Sequence, residues 1–292
     1  MLPNFLVIGA YKSGTTSLHR YLAQHPQVFV PRVKEPSYFA FAAAGQESNT
    51  LVFRKSVKTL AEYEDLFKEA SRFPAVGEVS PEYMTSPNAA LTIKKYVPQA
   101  RLIAILRNPV ERAYSDFLMY RRDGIEKILD FATALEMQTE KALKGDPTGF
   151  YISTGFYGEQ LARYYDIFPS TRIKVFLMEE LQSDGPRTLS QVFEFLGVDP
   201  TFVPDNLTIH NRSGVASNYL VNKLFQYRSL VAPLARRLVP DNLRTRIRRK
   251  FEESLKKPPL QPEVRQLLKE TYRADVRLLE RLTGKSCHHW LE

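Results

Sequence analysis

A short loop of glycine, serine and threonine with one lysine inside it is the part of this sequence best suited to bind a phosphate. The apolar run 5–8 leads into the loop and a helical pattern begins at Thr15, so the loop joins a strand to a helix. Backbone N–H groups and a helix N-terminus converge on an anion in such a unit. Gly9 and Gly14 keep the glycine spacing of a Walker A loop, whereas Lys12 precedes the second glycine instead of following it. The sequence therefore predicts an anion site with a displaced positive charge.

A second candidate anion contact is an arginine at the end of a buried strand. The run 102–106 is apolar and ends at Arg107, which Asn108 and Pro109 follow at a helix start. Burying an arginine at the carboxyl end of a strand is costly unless an anion meets it, and ligands bind at this edge of open α/β sheets. Ser115 lies on the next helix, off its apolar stripe. For either residue alone, a structural salt bridge or a surface hydroxyl is the alternative.

A glutamate in a loop that contains proline is the candidate acid or base. Pro36 biases Glu35 toward an extended backbone, so we expect a loop and not a helix face to present this carboxylate. Lys34 directly precedes it. The alternative interpretation of Glu35 is an acid that is simply exposed in the loop.

The elements that must position these residues alternate between strand and helix, which is typical of a parallel sheet with helices on both faces. The sequence thus predicts an α/β, P-loop-like three-layer fold. The segment 32–57 is expected to be a long irregular functional loop. Strands are predicted at 4–9, 28–30, 76–79, 101–106 and 172–177. Helices are predicted at 15–24, 60–70, 87–96, 109–122, 131–143, 158–168, 187–196 and 263–282.

Composition places the chain in the ordinary globular class, with 292 residues, 43% hydrophobic and 25% charged. Its formal net charge of +9 favours anionic partners. The single cysteine, Cys287, excludes an internal disulfide and a cysteine-rich metal site, and no histidine has further ligands at metal spacing. No segment approaches the ~20 consecutive apolar residues that span a bilayer. Because the first strand also begins too near Met1 for a signal peptide, we expect a cytoplasmic protein without a transmembrane segment.

Taken together, these motifs resemble the sulfotransferases that use 3′-phosphoadenosine 5′-phosphosulfate, of the heparan-sulfate type and its bacterial relatives. Their phosphosulfate loop reads Lys-x-Gly-Thr-[Ser/Thr], which residues 12–16 match. The resemblance implies that Lys12 and Glu35 are catalytic, Glu35 being the base, and that Arg107 and Ser115 hold the 3′-phosphate. The loop residues that it assigns to the nucleotide are Lys12, Ser13, Gly14, Thr15, Thr16 and Ser17.

A partial match extends the nucleotide site to a later loop. In heparan-type enzymes a Lys-Gly-Arg-x-His loop closes over the nucleotide, and residues 210–214 share an arginine and a glycine with it in altered order. The resemblance therefore assigns Arg212, Ser213 and Gly214 to nucleotide contact.

The resemblance assigns Lys34, Glu78 and Tyr157 to the acceptor side. Glu78 either assists Glu35 or buttresses its loop, and Tyr157 either lies near the substrate cleft or is a buried aromatic residue. Val79 stands where the heparan enzymes have a lysine of their acidic-substrate site. This departure counts against a heparan-like acceptor.

The resemblance implies one sulfotransferase domain over residues 1–292, with the segment 233–292 packed on it as a flap or cap. The basic stretch 236–257 is either a solvated helix face with a linker or a docking surface for an acidic substrate. The implied acceptor is a hydroxyl of a carbohydrate, of a lipid or polyketide, or of a small molecule, with an acidic carrier protein as a further partner.

The implied reaction needs no metal, and no nucleic acid is expected as a partner. Two other functions stay open at this point. One is a P-loop nucleotide kinase or hydrolase with a displaced lysine, which would prefer Mg-ATP. The other is a non-catalytic anion-binding module that acts through the basic stretch 236–257, whose binding would fall steeply with salt.

Overall fold

The computed structural model describes residues 1–44, 56–205, 214–216 and 254–292, and the chain divides into two compact units. The first unit comprises residues 1–109, 156–210 and 270–292, and the second comprises residues 110–155 and 211–269. The predicted cap at 233–292 stays a prediction, because residues 233–253 lie outside the described part of the chain.

A five-stranded parallel sheet forms the centre of the first unit, and its strand order is β2-β3-β1-β4-β5. The α/β fold with a central parallel sheet is thereby confirmed. All five predicted strands are present, each within one residue of its predicted bounds. Their observed bounds are β1 Phe5–Gly9, β2 Val28–Phe29, β3 Ala75–Val79, β4 Arg101–Leu106 and β5 Ile173–Leu177.

Burial of the central strands on both faces explains why their sequences are continuously apolar. Every residue of β1 is buried, and five of the six residues of β4 are buried. One core cluster joins side chains of β1, β4 and β5 to two helices, which are α1 (Thr15–Leu22) and α11 (Gly185–Leu196). Because β1 lies between β3 and β4, the segments that follow these three parallel strands meet at one edge of the sheet.

The helices of the described chain follow the predicted pattern with five differences. The predicted helix 131–143 is two helices, the predicted helix 60–70 ends at Asp65, and the predicted loop 32–57 contains a short helix. Two further short helices, at Glu82–Thr85 and Met178–Ser183, were not predicted. The remaining helices are α2 Tyr38–Ala44, α3 Leu60–Asp65, α4 Glu82–Thr85, α5 Ala89–Tyr96, α6 Pro109–Arg122, α7 Phe131–Glu136, α8 Gln138–Leu143, α9 Tyr157–Tyr165, α10 Met178–Ser183 and α12 Pro262–Thr283. Short 3-10 turns lie at Pro147–Gly149, Ser153–Gly155, Ser170–Arg172 and His288–Trp290.

The second unit contains a two-stranded antiparallel sheet, in which β6 (Val215–Ala216) pairs with β7 (Leu255–Lys256). Its buried polar residues include Arg112, which is fully buried and pairs with Asp116 at 3.4 Å. Among the helices that are described in either unit, none is both long enough and apolar enough to cross a membrane.

Candidate functional site

The phosphate loop after β1 has the geometry of an anion site. Gly14 caps α1 with φ at 94°, in the left-handed region that favours glycine, and no side chain fills the cap. The first turn of α1 contains no acidic residue. Because the first amides of a helix lack intrahelical acceptors and the helix dipole is positive there, this terminus fits a phosphate. Lys12 in the same loop supplies the positive charge.

Close packing against the sheet fixes the start of this loop. The amide of Ala10 donates to the carbonyl of Ile105 at 2.8 Å, which extends the pairing of β1 with β4 beyond Gly9. A side chain at Gly9 would collide with Met84 on α4, the helix that follows β3. Gly9 is therefore needed because Met84 packs closely against it, and Gly14 is needed because of its left-handed backbone conformation.

Arg107 contacts the phosphate loop. Its Nη1 donates to the carbonyl of Lys12 at 3.3 Å, so the guanidinium lies beside the phosphate loop at the carboxyl end of β4. Both side chains are partly exposed. Ser115 is fully buried on α6 and belongs to the second unit. The first unit by itself thus brings together the lysine and the arginine.

Lys34 connects the loop that carries Glu35 to the phosphate loop. Its Nζ donates to Oγ1 of Thr16 at 2.7 Å and lies 2.7 Å from Oε1 of Glu35. The side chains of Lys34 and Glu35 are 38% and 32% exposed, so both can meet a ligand. The ammonium group of Lys34 therefore links the carboxylate of Glu35 to the N-terminus of α1, which fits a phosphate.

Three residues at this site have left-handed backbones. Lys12, Glu35 and Ser37 have φ angles of 60°, 56° and 51°, and they are the non-glycine residues with positive φ in the described part of the chain. The expectation of an extended backbone at Glu35 is therefore wrong. The hydroxyl of Ser37 donates to the carbonyl of Glu35, and this local turn overrides the bias that Pro36 imposes. Such conformations cluster at functional sites, where the surrounding structure holds them.

Glu78 lies under the Glu35 loop and is 1% exposed. Its carboxylate accepts hydrogen bonds from Tyr83 at 2.5 Å, Ser80 at 2.8 Å and Tyr63 at 3.2 Å. Ser80 in turn accepts a hydrogen bond from the amide of Ser37 at 3.0 Å. Burial raises the pKa of Glu78 to about 7, although these hydrogen bonds oppose the shift. The contacts favour the alternative in which Glu78 buttresses the loop.

Glu82, at the start of α4, is a site residue that the sequence analysis did not single out. The residue is only 8% exposed, and its Oε2 has no hydrogen-bond partner within the described residues. Burial and the nearby charge of Glu35 raise its pKa to about 7, while hydrogen bonds from Tyr11 and Ser37 oppose the shift. Its place directly after β3 and Pro81 was the only signal in the sequence.

The remaining predicted residues lie elsewhere or outside the description. Tyr157 is fully buried, and its ring packs edge-on against Trp290 with centroids 6.3 Å apart. Arg212 and Ser213 lie outside the described residues. Gly214 belongs to the second unit, where a side chain would come within 2.7 Å of the carbonyl oxygen of Lys256.

Metal chemistry would require a cluster of suitable side chains. Within the described ranges, no group of three or more His, Cys, Asp or Glu side chains is placed to hold one metal ion.

Comparison with known proteins gives consistent matches. A family model described as "Sulfotransferase family" matches residues 3–202. Human bifunctional heparan sulfate N-deacetylase/N-sulfotransferase 2 is 28% identical over 205 residues, which cover 68% of this chain and 22% of that protein. Human carbohydrate sulfotransferase 15 is 28% identical over a match that covers 68% of this chain and 44% of that protein. The chain therefore spans less than half the length of these two relatives.

A solved structure matches over the full length. The sulfotransferase from Alicyclobacillus acidocaldarius has a TM-score of 0.78 to this chain and 26% sequence identity, and the match covers 100% of both chains. The likeness thus includes both compact units as well as the sheet.

Proposed function

This chain belongs to the sulfotransferase family, and from that premise we propose that it transfers the sulfuryl group of 3′-phosphoadenosine 5′-phosphosulfate to an acceptor hydroxyl. When bound, this nucleotide supplies the sulfuryl group and leaves as adenosine 3′,5′-bisphosphate. The observation that carries the proposal is the placement of Lys34, which contacts both Thr16 at the phosphate loop and the carboxylate of Glu35. An anion cradle and a candidate base therefore lie side by side.

The anion-binding residues have separate tasks in this proposal. Lys12 and the amides of residues 13–17 stabilise the negative charge that grows on the 5′-phosphate as the sulfuryl group departs. Losing one such preorganised donor costs about 3 kcal/mol in the barrier. Arg107, with the bidentate geometry of a guanidinium, binds the 3′-phosphate. A role of Ser115 in holding the same phosphate stays a prediction. The 3′-phosphate is what distinguishes this nucleotide from ATP.

Glu35 accepts the proton of the acceptor hydroxyl in the same proposal. Its carboxylate is partly exposed, and the left-handed backbone and the contact to Lys34 hold it in place. A positioned general base contributes roughly 10² to 10⁴ in rate. Because a sulfuryl group resembles a transferring phosphoryl group, we expect an in-line displacement in which positioning and charge stabilisation dominate.

The acceptor is a carbohydrate, a lipid or polyketide, or a small molecule with a hydroxyl, and an acidic carrier protein is a further partner. The names of the two human relatives, which refer to heparan sulfate and to carbohydrate, support a carbohydrate as the acceptor. Val79, in place of the lysine of the heparan-type enzymes, argues against a polyanionic one. Location in the cytoplasm and a bacterial origin stay predictions.

Thermal shift with nucleotides tests the proposal. We expect adenosine 3′,5′-bisphosphate to raise the melting temperature of the wild type without Mg²⁺ and to do so more than ATP with or without Mg²⁺. Arg107→Ala should lose most of this shift, because the phosphate that it binds is then unpaired. Arg187→Ala, which removes an exposed arginine on α11 of the same unit, is the matched control and should respond like the wild type.

Two outcomes would contradict the proposal. A larger shift with Mg-ATP than with the bisphosphate would favour the kinase or hydrolase alternative. No shift with the bisphosphate in either the wild type or the control would remove the nucleotide site altogether.

A further inference from the structure

A buried carboxyl group at the edge of the site has no role in the function proposed so far. Glu82 is more than nine-tenths buried, and its Oε2 lacks a hydrogen-bond partner among the described residues. A buried carboxylate with an unsatisfied oxygen is costly, because full charge is then removed from water without compensation. A neutral carboxylic acid in the same place is far less costly.

The groups around Glu82 come from three parts of the first unit, which are the phosphate loop, the Glu35 loop and β3. Tyr11 from the phosphate loop and Ser37 from the Glu35 loop are hydrogen-bonded to it, and the charge of Glu35 acts on it. Glu78 on β3 is a second acid whose ionisation is coupled to that of Glu82.

Two cations of the first unit have partners of their own. Lys34 is paired with Glu35, and the guanidinium of Arg163 on α9 donates from Nη2 to the carbonyl of Met84 at 2.9 Å. Glu82 is thus hydrogen-bonded by hydroxyl groups and its own backbone, and the largest charge effect on its ionisation is that of the Glu35 carboxylate.

We propose that Glu82 is a positioning residue whose protonation is coupled to anion binding. Glu82 takes up a proton as an anion binds to the phosphate loop, and the resulting neutral acid is hydrogen-bonded to Tyr11. The inference rests on the proposed function, because it concerns the same anion site. Tyr11 lies directly before Lys12, so the hydrogen bond to Glu82 reaches the loop itself. An additional negative charge in the loop opposes ionisation of Glu82 by the same repulsion that Glu35 already exerts.

Linkage makes this coupling measurable without any acceptor. If anion binding favours the protonated form of Glu82, protonation must favour anion binding to the same extent. Burial and Glu35 place the pKa of Glu82 at about 7, so a part of the molecules is ionised at neutral pH and can take up a proton. The wild type should therefore bind adenosine 3′,5′-bisphosphate with net proton uptake between pH 7 and 8.

Isothermal titration calorimetry in two buffers of different ionisation enthalpy measures that uptake. We expect the wild type to take up roughly half a proton more than Glu82→Gln, which equals about a threefold steeper loss of affinity per pH unit. Protons that the bisphosphate itself exchanges are common to both proteins and cancel in the difference. Glu82→Ala is a second variant in case the amide disturbs folding, and it should behave like Glu82→Gln.

Glu78→Gln is the matched control. It also removes a buried acid, but the carboxylate of Glu78 accepts hydrogen bonds from Tyr63, Ser80 and Tyr83, none of which belongs to the phosphate loop. We expect this variant to keep most of the proton uptake. Equal uptake in the wild type and both Glu82 variants, or a loss confined to Glu78→Gln, would overturn the inference while leaving the nucleotide site intact. Failure of the wild type to bind the bisphosphate would instead overturn the proposed function, and this inference with it.

Discussion

Glu35 is the residue on which the proposed proton transfer depends. Replacing it with glutamine preserves its size and its hydrogen-bonding oxygen but removes its ability to take up a proton. We expect the turnover of Glu35→Gln to fall by roughly 10² to 10⁴. The affinity for adenosine 3′,5′-bisphosphate should stay unchanged, because the anion cradle belongs to the other loop. Sulfuryl transfer and calorimetric titration measure the two quantities on the same protein.

The control for this variant is Glu194→Gln, which neutralises an exposed acid on α11 of the same unit. It should retain both turnover and binding. Normal turnover in Glu35→Gln would exclude Glu35 as the base. Loss of binding together with turnover would mean that its pair with Lys34 holds the phosphate loop together, and the base would have to be sought elsewhere.

Backbone conformation at single residues explains what sequence reasoning missed here. The left-handed region costs a non-glycine residue about 1–2 kcal/mol, so Lys12, Glu35 and Ser37 adopt it only because neighbouring contacts hold them there. The rule that a residue before proline is extended is a local preference. At Glu35 it was wrong because the hydroxyl of Ser37 and the amide of Ser37, bound to Ser80, fix the turn from both sides.

The phosphate loop is the element whose packing can be tested most directly. Because a side chain at Gly9 would collide with Met84, we expect Gly9→Ala to lower the free energy of unfolding by about 1–3 kcal/mol. The loop should move as it relieves the clash, so the affinity for the bisphosphate should fall as well. Urea denaturation followed by circular dichroism gives the first quantity, and calorimetry gives the second.

A double variant separates the collision from other effects of the methyl group. Met84→Gly removes the three side-chain atoms that a new Cβ would meet, so Gly9→Ala with Met84→Gly should be more stable than the two single changes predict when added. If the two effects simply add, the close approach of Gly9 to Met84 is not what the loop requires.

Elements with strong local signals were predicted well. The helix α6 begins and ends at the predicted residues, and Asp184 caps α11 by accepting from the amide of Arg187 at 3.1 Å, next to the first-turn Pro186. The helix α2 was missed because its sequence is short and rich in small residues and has no comparable start signal. Its position is fixed by the Glu35 loop that precedes it.

At the scale of the whole molecule, the sheet order determines which predicted residues meet. The sequence indicated that strands end at Gly9, Val79 and Arg107, and parallel pairing brings these ends to one edge. What could not be read from the sequence is the environment that other elements build around a side chain. Glu78 lies within β3 and Glu82 follows the strand closely, yet the surroundings of Glu82 depend on the phosphate loop and the Glu35 loop together.

The two buried acids predict how stability depends on pH. In the unfolded chain glutamate has a pKa near 4.5, whereas in the folded protein the pKa values of Glu78 and Glu82 are about 7. Between these values the folded form binds more protons, so the free energy of unfolding falls as pH rises from about 5 and stops falling above about 7. Each unit of raised pKa corresponds to roughly 1.4 kcal/mol, so the rise from 4.5 to about 7 makes the loss about 3.5 kcal/mol per group at most.

A difference between variants isolates this effect from the general charge of the chain. Raising the pH also reduces the net positive charge of +9 and its self-repulsion, which opposes the loss of stability. Glu82→Gln changes the buried acid and leaves that background in place. We therefore expect the free energy of unfolding of Glu82→Gln, measured by urea denaturation, to rise relative to that of the wild type from pH 5.5 to pH 8. The difference between Glu194→Gln and the wild type should stay constant over the same range. A constant offset between Glu82→Gln and the wild type at both pH values would mean that Glu82 ionises in the folded protein as readily as in the unfolded one.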